Sequence, residues 1–187
     1  MKRLFVALAL LLGACSTGDD AAPPAGGDFQ LVAPGGQVKI RYSEGERKAL
    51  GKLSGESLLE PGKTANLSDY AGKIVVISIW GSWCPPCRTE APELQKIQDS
   101  GTAQVLGIDV RETSPDHGRD FMKDRGLTYP SIYDPSGRAL LAFRGLPPNT
   151  VPSTFVLDKQ HRVAAVFLEG ILAPDLEPII KELAADQ

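Results

Sequence analysis

The chain has 187 residues and a formal net charge of -3 at pH 7, a balance that excludes the basic domain or stripe of a nucleic-acid binder. Its hydrophobic share of 42% suffices for a packed globular core, and its length fits one domain with an appendage.

The first fifteen residues read as an export signal. Lys2 and Arg3 precede "LFVALALLL", nine apolar residues that are too few to span a bilayer, and Gly13, Ala14 and Cys15 follow. A buried core helix is the competing reading, which the terminal position and basic flank disfavour. "LGAC" (12–15) resembles the lipobox of bacterial lipoproteins. That resemblance implies a signal peptide over 1–15, a lipidated Cys15 and an extracytoplasmic chain anchored to the cell membrane by lipid. A cleaved secretory signal with an incidental cysteine is the alternative. With Cys15 set aside, Cys84 and Cys87 remain as a pair in a compartment that permits disulfides.

"STGDDAAPPAGGD" (16–28) is small, polar and rich in Pro and Gly, a tether that reaches roughly 45 Å when extended. "FQLVAPGGQVKIRY" (29–42) predicts a β-hairpin around Pro34-Gly35-Gly36, and "SGESLLEPGKTANLSDYAGK" (54–73) reads as turns and short extended pieces. Residues 29–72 are thus expected to be an N-terminal extension, and 73–187 the main domain. "IVVISIW" (74–80) is a strand apolar on both faces, as in a parallel sheet covered by helices. A helix follows over 88–100, a second buried strand over 104–110, a helix over 114–126 opened by Ser-Pro, and a short helix over 136–145. "STFVLD" and "RVAAVFL", joined by a polar turn, form an antiparallel pair, and 173–186 is the last helix. The order from residue 73 is βαβαα followed by ββα, beginning with a right-handed crossover unit.

The chemistry lies in "WGSWCPPCRTE" (80–90). Haem attachment needs a histidine after the second cysteine, where Arg88 stands. Structural zinc needs four ligands, and His117 and His161 fall in separate predicted loops, so no metal is expected. A purely structural disulfide across so short a loop adds little stability. Redox chemistry fits better. The pair follows a buried strand and opens a helix, so Cys84 lies at a helix N-terminus that favours its thiolate, the nucleophile of disulfide exchange. Cys87, one turn on, is placed to resolve the mixed disulfide. The Cys84–Cys87 pair is then the only redox group, with no other cofactor.

"LSDYAGK", "IWGSWCPPCRTEAPEL", "GIDV" and "VPSTFVLD", in that order, resemble the TlpA/ResA-like thiol–disulfide oxidoreductases across residues 73–185. The resemblance implies an α/β thioredoxin fold, a central mixed sheet with flanking helices, here preceded by the N-terminal β-hairpin extension. It implies a cis-proline at Pro152, with the backbone of Val151 offered to an extended peptide beside Cys84; an ordinary strand-edge proline is the bland alternative. The reductases of the group match this chain at Glu90, in C-x-x-C-x-x-E-x-P. Glu90 falls on the helix face of Cys87, where it either handles a cysteine proton or merely stabilises the first turn. Thioredoxins carry a buried aspartate where this chain has Ser78. Trp83 is expected to flank an exposed sulfur and touch substrates, Trp80 to pack in the core, His117 and His161 to be surface residues, and Asp109 to end a strand near the site or serve a turn.

Pro85 and Pro86 have no N–H, so two donors to a Cys84 thiolate are missing, which favours a reducing pair. The resemblance implies the same direction: a reductase of protein disulfides, including those of apocytochromes c, recharged by a membrane thiol-reductant transporter; the protein is expected to be a monomer. The rivals are a DsbA-like oxidase, which usually carries a large helical insertion, a thiol peroxidase, whose P-x-x-x-T-x-x-C motif is absent before Cys84, and a binding lipoprotein with a static disulfide.

Overall fold

The computed structural model describes residues 27–147 and 150–186. The expected signal, Cys15 and the tether up to residue 26 lie outside the described residues. Eight strands make one sheet: β1 (Lys39–Arg41), β2 (Ser54–Ser57), β3 (Thr64–Asn66), β4 (Val75–Trp80), β5 (Gln104–Val110), β6 (Ser131–Asp134), β7 (Ser153–Leu157) and β8 (Val163–Phe167). Their spatial order is β1-β8-β7-β4-β5-β6-β2-β3. The centre is β4, parallel to β5 and antiparallel to β7, and every one of its residues is buried. Helices α1 (Pro85–Ser100), α2 (Pro115–Asp124) and α3 (Ala173–Ala185) complete the fold.

Alternation along the central strands splits the core in two. Val76, Trp80, Val105 and Val156 join Leu94, Ile97, Phe121, Leu176 and Ile180 of the helices on one face, in the cluster that also holds both cysteines. Val75, Ile77, Ile79, Leu106, Ile108, Phe155 and Leu157 face the other way. That second face is covered by Phe29, Leu31, Leu50, Leu53 and Leu67 from the N-terminal segment and by Phe143. The Phe29 and Phe143 rings both pack on Phe155, at 6.0 and 4.4 Å between centroids.

This role explains why 29–42 is not the expected hairpin. Pro34–Gly36 forms a 3₁₀ turn with Gly35 and Gly36 at positive φ, and the two flanking pieces take separate partners. Gln30 bridges Arg144, whereas β1 joins the free edge of β8, Ile40 opposite Val166. The extension does contain a hairpin, β2–β3 at 54–66, and it continues the sheet beyond β6 at the opposite edge.

Two further expectations change. The strand β6 was not anticipated: its four residues sit between Pro130 and Pro135, which break the pattern, and pairing with β5 and β2 on either side holds them extended. The helix expected over 136–145 is only a 3₁₀ turn, Ala139–Ala142. The Asp134 carboxylate accepts from the N–H groups of Arg138 and Ala139 at 2.9 and 2.7 Å, and the turn stops at buried Phe143.

Candidate active site

At the C-terminal end of β4 the chain leaves the sheet through Gly81, Ser82 and Trp83 and enters α1 at Pro85. Cys84 is the N-cap, in extended conformation, and two prolines occupy the first helical positions, where a missing N–H and a fixed φ do no harm. Cys84 and Cys87 are joined as a disulfide with Cα atoms 5.4 Å apart. Cys84 Sγ accepts from the Cys87 N–H at 3.3 Å. Cys84 is 1% exposed, so the expected exposed sulfur is not found. The disulfide belongs to the core cluster, with half-buried Val151 packed against that cluster. Trp83 is 43% exposed, and its indole N–H donates to the Val110 carbonyl at 2.9 Å, which ties the loop to the end of β5.

The Val151–Pro152 bond is cis. Ser153 pairs with Ile79, so Pro152 falls level with Trp80, the last residue of β4, and Val151 lies just beyond, where the cysteine loop departs. Register therefore brings Val151 and Pro152 to the motif from a distance in sequence that local patterns do not reveal.

Beneath the disulfide, Glu90 points from α1 onto the sheet and is 2% exposed. Ser78 and Thr154 are neighbours across β4 and β7, on the face that carries Val76 and Val156. Thr154 Oγ1 donates to Glu90 Oε1 at 2.7 Å, while Oε2 has no protein partner among the described residues. Burial raises the Glu90 carboxyl to about 7, against the opposing pull of the Thr154 hydrogen bond. A buried carboxyl thus reaches the Ser78–Thr154 pair of the sheet through Thr154, delivered by the helix rather than by the strand.

A second buried carboxyl was read in the sequence only as a strand end. Asp109 lies opposite Trp80 in the sheet and is fully buried. Burial, then the charge of Glu112 and a hydrogen bond with it, push Asp109 up to about 8. Two glycines make room here. A Cβ on Gly107 would collide with Ser131 Oγ and Trp80 Nε1, and one on Gly118 of α2 would collide with Asp109 Oδ2. Tyr129 stands within the influence of both Glu90 and Asp109, and burial followed by those charges raises its hydroxyl. Trp80 packs in the core against Phe121, ring centroids 5.0 Å apart. His117 is a surface residue; His161 is partly buried, its Nε2 3.0 Å from the Tyr70 carbonyl. Among the described residues no group of three His, Cys, Asp or Glu side chains is arranged to hold a metal. Thr154, Tyr129 and Glu112 were not singled out in the sequence; only sheet register and loop packing bring them to the site.

The chain matches the AhpC/TSA family over residues 52–166. It is 30% identical over 141 residues to the thiol-disulfide oxidoreductase ResA of Geobacillus kaustophilus, covering 73% of this chain and 79% of that protein. Among solved structures, a secreted thiol-disulfide isomerase from Corynebacterium glutamicum superposes with a TM-score of 0.82 at 43% identity, covering 86% of this chain and all of that one. A DsbF homologue from Corynebacterium diphtheriae gives 0.78 at 46% identity, covering 82% and 98%. The P-x-x-x-T-x-x-C motif of thiol peroxidases is absent, with Ile77 and Gly81 where it needs Pro and Thr. A buried Cys84–Cys87 disulfide at a helix N-terminus, a thioredoxin-fold sheet and these similarities agree: the chain belongs to the AhpC/TSA family and is a thiol–disulfide oxidoreductase of the TlpA/ResA-like group.

Proposed function

We propose that this chain is an extracytoplasmic protein-disulfide reductase, held at the membrane by lipid on Cys15. The observation that carries the direction is the poverty of donors at Cys84. Pro85 and Pro86 contribute no N–H, and the backbone donor to Cys84 Sγ is the Cys87 amide. A thiolate with so little support makes a reducing couple, because strong oxidants owe their potential to a stabilised reduced form.

In the reaction, the Cys84 thiolate of the reduced protein attacks one sulfur of a substrate disulfide. A Cys84–substrate disulfide forms, and the other substrate sulfur leaves as a thiolate. Cys87 gives up its proton and attacks Cys84 Sγ. The Cys84–Cys87 disulfide closes and the second substrate thiolate leaves, so two electrons have passed to the substrate. Glu90, at about 7 and with Oε2 free of protein partners, is the acceptor for the Cys87 proton. Trp83 and Val151 form the rim that the substrate peptide meets, over the buried Pro152, with the Val151 backbone pairing to it as a strand. On the resemblance to the TlpA/ResA-like group, the substrates include apocytochromes c and the electron donor is a membrane thiol-reductant transporter; the protein acts as a monomer.

A second reading runs the electrons the other way, or shuffles disulfides. It is favoured by the 43% and 46% identity to proteins described as a thiol-disulfide isomerase and a DsbF homologue. The thiol state in intact cells separates the two. Acid quenching followed by a mass-tagged maleimide should find Cys84 and Cys87 mostly as free thiols for a reductase. A mostly oxidised pair at steady state would contradict the reductase reading.

A further inference from the structure

The reaction above leaves one buried acidic pair without a task. Glu112 is 6% exposed, just past the end of β5, and its Oε1 accepts from the Ser82 N–H at 2.6 Å. Ser82 lies two residues before Cys84, in the loop that carries the nucleophile. The same loop is held by Trp83 Nε1 on the Val110 carbonyl and by the Arg88 guanidinium, which donates to the Ser82 carbonyl at 3.3 Å. To deliver Glu112 there, Arg111 adopts a left-handed backbone, φ 58°, which is costly for a residue with a Cβ. Asp109 stands beside Glu112, whose charge and hydrogen bond act on it, and no other donor among the described residues reaches either Asp109 oxygen. Two ionised carboxylates in that space repel. A protonated Asp109 instead donates to Glu112, leaving a single charge that faces the Ser82 amide.

We propose that Glu112, beside Asp109, is a positioning residue for the exchange reaction: it fixes the Ser82–Cys84 loop through the Ser82 amide and sets a buried carboxylate against the chain two residues from the nucleophile. The inference rests on the reading of Cys84 as nucleophile. Its consequence is electrostatic as well as geometric. A carboxylate near Cys84 disfavours the thiolate, so Glu112 works in the same direction as the two missing proline amides. The other groups around the pair are the Tyr129 and Tyr133 hydroxyls near Asp109, and the His117 imidazole, whose Nδ1 is 3.7 Å from Glu112 Oε2. Glu56 and Arg119 stand beside Tyr133, and Arg111 is the chain neighbour.

The experiment is the pH profile of iodoacetamide alkylation of the reduced protein, with the melting temperature followed in parallel. E112Q keeps an acceptor for the Ser82 N–H and loses the charge. Its alkylation midpoint should fall by about half a pH unit or more. E112A loses the acceptor too, and its disulfide-exchange rate should drop several-fold below that of E112Q. D109N, a fixed donor to Glu112, should titrate as a single step, where wild type is expected to depart from one because burial and Glu112 raise Asp109 to about 8. If E112Q melts lower but alkylates with the wild-type midpoint, Glu112 is only structural and the proposal falls. It falls equally if E112A and E112Q exchange alike. Should Cys84→Ser alkylate as fast as wild type, the error lies in the choice of nucleophile and not in Glu112.

Discussion

Glu90 is buried, with one oxygen bonded to Thr154 and the other without a partner among the described residues, and its behaviour with pH follows from that placement. Burial raises its carboxyl from the ordinary 4.5 to about 7. Between these values the folded protein keeps a proton that the unfolded chain has lost. Stability is therefore full below about 4.5 and falls as pH rises to about 7, by about 3 kcal/mol. E90Q should reduce the slope of a series of melting temperatures across that window by about half. Asp109, raised to about 8, has the same sign and accounts for the fall that remains in E90Q, which should continue to about pH 8. A series as steep in E90Q as in wild type would show that Glu90 is not the group responsible. Thr154→Val removes the hydrogen bond that holds Glu90 down, so the fall should extend above pH 7; a fall that still ends at pH 7 would contradict the pairing. The Glu90 position was legible in C-x-x-C-x-x-E-x-P. Its partner was not, because Thr154 is 64 residues away and reaches it only through the β4–β7 register.

At the level of elements, the N-terminus of α1 sets the chemistry. Pro86 stands at the second helical position, one of the two places from which an N–H reaches an N-cap side chain. Pro86→Ala restores that donor. Roughly one charge-assisted hydrogen bond to the Cys84 thiolate should raise the reduction potential by about 30 mV, read against a glutathione series. An unchanged or lower potential would sink the argument from missing amides. Helices and central strands were readable because their periods are long or their runs continuous: the all-apolar β4 and the Gly-stopped α2 needed no tertiary information. The edge elements were not. Whether 29–42 turns back on itself or joins β8 depends on an unpaired sheet edge elsewhere, and β6 is too short to announce itself between its prolines.

Across the whole molecule, the segment before β4 is part of the core. It supplies strands at both edges of the sheet and roofs the face opposite the helices. Arg47 fastens this arrangement. Its side chain is 3% exposed, and it pairs with Asp186 at 2.7 Å and Asp158 at 3.6 Å, joining the N-terminal segment to the β7–β8 turn and to the end of α3. Arg47→Ala leaves Asp158 buried with less compensation and should cost about 3 kcal/mol in denaturant unfolding, in one transition. Separate unfolding of the N-terminal segment would contradict a shared core. The central claim concerns electron flow, and the equilibrium reduction potential of the Cys84–Cys87 couple tests it most directly. A value near or below about -250 mV, in the range of thioredoxin, is the result this account predicts. A value near about -120 mV, that of a strong periplasmic oxidant, would contradict it and assign the chain to disulfide formation.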